Sequence, residues 1–213
     1  MHSPPVRHIT RSALAAVALV SLLAGGSLVV SQLPVDKAIG QAAAPKSGVA
    51  PKQRQAPQVI RDFSKLPAPV ARMREAILDA VKRGDIAELR YAIELNELPP
   101  DFGNLAGDDV IDGLRKSSAD GQGVATLALL AELLELPCAV IPVGPDVENA
   151  KLYVWPYLAE MPLSGLSPPQ KVDLYRLVDH GQAREMLATG VWKWWRLAIG
   201  ADGVWHVFSR GDR

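Results

Sequence analysis

From Ala13 to Val30 the chain runs for 18 residues without a charge, and the uncharged stretch extends from Ser12 to Val35. That length sits at the lower limit for spanning the hydrocarbon core of a bilayer. Arg7, His8 and Arg11 precede it, so residues 1–33 have the form of a signal peptide or an uncleaved signal anchor. Cleavage after the small residues Ala24-Gly25-Gly26 and retention as an anchor both remain open. Leu28-Val29-Val30 carry the apolar run past that point and favour the anchor. The basic flank keeps the N-terminus in the cytoplasm and sends everything after residue 33 across the membrane. No cysteine stands directly after the apolar run, which excludes a bacterial lipoprotein.

Residues 34–65 change character to Ala, Pro, Gln, Lys and Gly, with almost no large apolar side chain between Gln41 and Gln58. Such a stretch cannot bury enough surface to offset its ordering entropy and is expected to be a disordered tether. Charge divides at the same place. Met1–Lys65 holds eight Lys/Arg against Asp36 and Asp62, whereas Leu66–Arg213 holds fifteen Lys/Arg against twenty-one Asp/Glu. A mildly acidic domain is a poor partner for nucleic acid, because affinity there rests on neutralising phosphates. The basic leader and tether are either solvated or lie against anionic lipid headgroups.

Residues 66–213 read as one α+β domain, a helical layer on a small antiparallel sheet. Leu66-Pro-Ala-Pro69 opens a helix that Gly84 closes, and Asp85 with Glu88 starts a second that stops at Pro99-Pro100. This helix, Gly-Asp, helix unit looks like half an ankyrin-type repeat, but no second copy follows. Asp108 or Asp109 begins a third helix. Val124–Leu136 is apolar nearly all round and belongs at the centre. Ser167-Pro168-Pro169 opens another helix, and Gln182–Thr189 forms a short one ending at Gly190. Four strands are expected at Cys138–Val143, Lys151–Tyr157, Trp192–Ile199 and Val204–Ser209. The last two are joined by Gly200-Ala-Asp-Gly203 as a hairpin.

Leu152–Arg176 (LYVWPYLAEMPLSGLSPPQKVDLYR) and Ile199–Asp212 (IGADGVWHVFSRGD) resemble a group of exported proteins of alphaproteobacteria, common in rhizobia, to which no activity is assigned. The resemblance runs from about Val70 to the C-terminus and includes Glu94–Phe102 and Lys116–Gly123. It implies a bacterial periplasmic setting for a reusable domain, and brings no catalytic residue or cofactor. Ser209-Arg210 departs from the small apolar residues expected before Gly-Asp in that group. The setting implied is the inner membrane with the domain in the periplasm, or the soluble periplasm once the leader is cut.

The aromatic content supplies the main binding candidate. Trp192, Trp194, Trp195 and Trp205 cluster near the end of the chain, with Trp155, Tyr153 and Tyr157 nearby. A hairpin with Trp192 and Trp194 on one face and Trp195 on the other is hard to bury on both sides. Open indole surface would suit a sugar ring or a protein partner. Ser117, Ser118, Asp120, Gly121 and Gly123 form a polar loop leading into the apolar helix. Its N–H groups, with Lys116 as charge partner, would suit an anion. No metal site or cofactor is expected: Asp108, Asp109, Asp112 and Asp120 lack the spacing of a calcium loop, and helix capping explains the first pair. The lone Cys138 reads as a small buried hydrophobe, and neither His180 nor His206 sits in a catalytic motif. The expectation is a membrane-tethered or secreted module, non-enzymatic, binding an envelope protein or glycan through Trp192, Trp194, Trp205 and Tyr157. The alternative is a periplasmic hydrolase acting on envelope glycans through paired carboxylates such as Asp112 and Glu160.

Overall fold

Proline and glycine set the limits of the first helix. In the computed structural model, which describes residues 56–105, 109–144 and 150–211, α1 (Ala68–Arg83) starts after Pro67 and stops at Gly84. The Gly84 φ of 70° is open to glycine at no steric cost, and its N–H returns to Ala80 and Val81. Val70, Met73, Ile77 and Ala80 recur at helical spacing and are the buried face. A 3-10 turn capped by Asp85 leads into α2 (Leu89–Glu94). Asp109 caps α3 (Val110–Ser117), accepting the Asp112 N–H at 3.0 Å. The apolar α4 (Val124–Glu135) buries Leu127, Leu130, Leu133 and Leu134 and packs against α1. A Ser167–Gln170 capping box opens α5 (Pro168–Leu177), and Asp179 caps α6 (His180–Thr189).

Five strands form one antiparallel sheet whose spatial order follows the sequence: β1 (Gln58–Ile60), β2 (Cys138–Pro142), β3 (Lys151–Trp155), β4 (Trp195–Gly200) and β5 (Trp205–Arg210). The α+β expectation is therefore met, with six helices among the described residues. On one side of the sheet Cys138, Tyr153, Trp155, Leu197, Ile199 and Phe208 join the main core. On the other side a row of small aliphatic residues crosses all five strands in register, Val59–Ala139–Val154–Ala198–Val207. Outside β5, Asp101 donates to the His206 carbonyl at 2.8 Å and accepts the Phe208 N–H at 2.9 Å. That covers the middle of one sheet edge and leaves β1 as the open edge.

Of the boundaries that differ from the sequence reading, α2 stops at Glu94 short of Pro99 and α6 starts at His180 ahead of Gln182, and three others bear on the sheet. Folded chain begins ahead of Lys65: Gln58–Ile60 pairs with β2, with Ile60 opposite Cys138. The expected tether end is thus part of the domain, because Val59 and Ile60 find partners in Ala139 and Cys138 that local composition does not reveal. β3 ends at Trp155, where Pro156 removes the next ladder donor. β4 starts at Trp195, so Trp192 and Trp194 precede the strand and do not alternate within it. The apolar segment at 13–30 and the tether residues 34–55 lie outside the described residues. Among those described, no helix is long and apolar enough to cross a membrane.

Candidate functional site

A groove of about 710 Å³ lies at the β1–β2 end of the sheet. Ala56 and Pro57 form one wall where the described chain begins. Val140, Ile141 and Pro142 come from the end of β2, Ala159 and Glu160 from the 3-10 turn after β3, and Met161 and Pro162 from the residues that follow it. Its volume falls within the range of ligand pockets, and its lining follows their usual pattern of apolar walls with few polar groups. Two Pro residues keep those walls from closing by strand pairing, since neither Pro142 nor Pro162 can donate a backbone hydrogen bond. The ionic feature is Glu160, 3.9 Å from Arg196 Nη1. Arg196 Nε is buried and has no hydrogen-bond partner, which leaves a donor unused beside the groove.

Next to it, β1 is pinned to the body by a polar cluster. Tyr157 is fully buried and its hydroxyl donates to Asp173 Oδ2 at 2.8 Å, while the Arg61 guanidinium lies 5.2 Å from its ring centre. Burial, reinforced by the hydrogen bond to Asp173, pushes the Tyr157 hydroxyl up to about 12. Tyr157 is therefore a neutral structural donor holding α5 to the sheet.

Comparison with protein families, curated proteins and solved structures found no match.

The aromatic platform expected from the sequence is not open. Trp155 and Trp205 are fully buried, and Trp192 is 9% exposed. Trp205 meets Phe102 edge-on at 5.3 Å, and its Nε1 donates to the Val207 carbonyl at 3.0 Å. Trp194 is half-buried, with the Arg210 guanidinium 5.0 Å from its ring centre. Trp195 stacks on Phe208 at 4.8 Å. The rings are covered because the Phe102 segment and the helical layer close over the hairpin, contacts that lie about a hundred residues away in sequence.

The anion loop is also filled, by its own side chains. Asp120 accepts from Gln122, Gly123 and Val124 N–H groups at 3.1–3.3 Å and from the Ser118 hydroxyl at 2.6 Å. Ser118 Oγ in turn accepts the Thr126 N–H at 3.2 Å. The N–H groups offered by the start of α4 are thus satisfied from within. Gly121 makes the turn at φ 65°, and Lys116 stays exposed in the last turn of α3. The Ser118 hydroxyl, more than any other contact, holds the Asp120 carboxyl down at about 2 from its ordinary 3.8. A carboxyl lowered in the folded state stabilises above its unfolded pKa, and that contribution is lost as pH falls through the folded value. Wild type should therefore lose melting temperature more steeply than Asp120→Asn between about pH 4 and pH 2. Parallel profiles in circular-dichroism melts would remove Asp120 from that role.

The remaining candidates separate. Asp112 is exposed and paired with Arg115 at the start of α3, whereas Glu160 sits in the groove beside Arg196. Among the described groove residues Glu160 is the only carboxylate, so the two-acid arrangement of a glycosidase is not assembled there. Cys138 is buried on β2, and burial raises its thiol to about 12. His206 is exposed on β5, with β3 and β4 between them. No three His, Cys, Asp or Glu side chains among the described residues converge on a metal position. Sequence reasoning missed Ile141, Pro142, Met161 and Pro162. The signal available was a repeated large-apolar–Pro pair, Ile141-Pro142 and Met161-Pro162, at the close of two ordered segments.

Proposed function

We infer that this chain is a membrane-tethered module of a bacterial envelope that binds an extended, apolar segment of an envelope protein. Residues 13–30 support the location: they are uncharged, flanked by Arg7 and Arg11, and followed by the acidic domain. The groove of Ile141, Pro142, Met161 and Pro162 beside the open edge of β1 is the observation that carries the binding part. An edge strand offers main-chain hydrogen bonds to an extended peptide, and an adjoining apolar groove selects its side chains. A sugar ligand is less well served, because stacking needs an open ring face and Trp155, Trp192 and Trp205 are buried.

A photo-crosslinking amino acid at Met161 of the full chain, expressed in its native envelope, tests this directly. The expected result is a discrete product with one envelope polypeptide, absent when the same group replaces the exposed Glu97. The same products from both positions would make the groove ordinary surface. A crosslink confined to residues 34–55 of the same chain would show that the protein fills its own groove, and would end the proposal.

A further inference from the structure

Several cations among the described residues have a carboxylate partner and several have none. Lys65, Lys82, Arg83, Arg90, Arg115 and Lys193 each pair with a carboxylate. Three that have none, Lys171, Arg176 and Arg184, lie within fourteen residues on α5 and α6. The acids in that region are engaged elsewhere. Asp173 accepts from Tyr157, Asp179 caps α6, and Glu185 holds Lys193 at 2.6 Å.

These cations share a face with apolar side chains. On α5, Lys171 and Tyr175 are four apart, as are Val172 and Arg176, so the four form one patch opposite buried Leu174 and Leu177. Val172 is 61% exposed and Tyr175 44%. The Tyr175 ring lies 5.3 Å from that of His180, which joins the patch to α6. There His180 and Arg184 are again four apart. The result is a partly apolar outer face on which three cations without an ion-pair partner point away from the core, on a domain that otherwise carries excess negative charge.

We propose that the outer face of α5 and α6 docks on an anionic phospholipid surface. Lys and Arg reach the headgroups while their stems, Val172 and the Tyr175 ring lie at the acyl boundary. Each cation near such a surface strengthens binding by roughly fivefold. The proposal rests on the membrane location inferred above and names a second contact with that membrane, separate from the groove.

The test uses the full chain carrying Ala188→Cys, an exposed α6 position, with a spin label; Cys138 is fully buried and does not compete. The chain is reconstituted with vesicles of phosphatidylcholine alone or of equal parts phosphatidylcholine and phosphatidylglycerol. Docking predicts that the label loses access to a water-soluble nickel chelate only on the anionic vesicles. The triple variant Lys171→Glu/Arg176→Glu/Arg184→Glu should regain solution access. A control that reverses three other unpaired cations, Arg72→Glu/Lys116→Glu/Lys151→Glu, should stay docked, and far-UV circular dichroism checks that both triples are folded. Equal access on both lipids, or equal loss in both triples, overturns the proposal. Flotation of the α5–α6 triple separates this from the anchor: it still floats if residues 13–30 hold the membrane.

Discussion

Trp205→Ala should destabilise the domain by roughly 3–5 kcal/mol, the range for emptying a fully buried indole site. The side chain has no exposed surface and is flanked by Phe102 at 5.3 Å and Phe208 at 6.4 Å. Its backbone N–H also donates to Asn96 Oδ1 at 2.9 Å, which ties the segment after α2 to β5. Removing the ring leaves a void bounded by two aromatic residues and frees the Val207 carbonyl that Trp205 Nε1 bonds. Urea unfolding followed by far-UV circular dichroism reads the loss as a lower midpoint with unchanged slope. A loss below about 1 kcal/mol would return Trp205 to the surface, and with it the aromatic platform.

Gly123→Ala should be comparably severe although it adds a single methyl group. Gly123 sits at φ 96° immediately before α4, where an L side chain is strained. The space is closed as well: a Cβ there would meet Ile86 Cβ at 2.5 Å, and Ile86 is 1% exposed beneath α3 and α4. Backbone strain of about 1–3 kcal/mol adds to overpacking of about 1–3 kcal/mol. Gly121→Ala makes the informative comparison. Its φ of 65° also favours glycine, yet nothing lies within 4 Å of its added Cβ, so strain acts there without the clash. Equal losses in the two variants would show that the contact with Ile86 relaxes freely.

Local chemistry made the helices legible. Pro67 and Gly84 bound α1, Asp109 caps α3, and the Ser167–Gln170 box opens α5, each within a few residues of the element it sets. The turn at Gly200–Gly203 likewise joins β4 to β5, with the Gly203 N–H returning to the Gly200 carbonyl at 2.8 Å. What stayed hidden depends on distant partners. β1 is three residues long and takes its identity from β2, so no periodicity marks it. Burial of Trp155, Trp192 and Trp205 depends on which layers close over them, and composition alone could not separate a covered ring from an open one. The groove was illegible for the same reason, since three separate segments make it. Asp120 was read as a turn former, and the structure adds that its carboxylate fills the place foreseen for an anion.

Ala56 and Pro57, the first described residues, are also a wall of the groove. On the proposed tethered reading, a pull on a segment seated there would pass to the chain before Ala56 through this corner and through the walls that β2 and the turn after β3 supply.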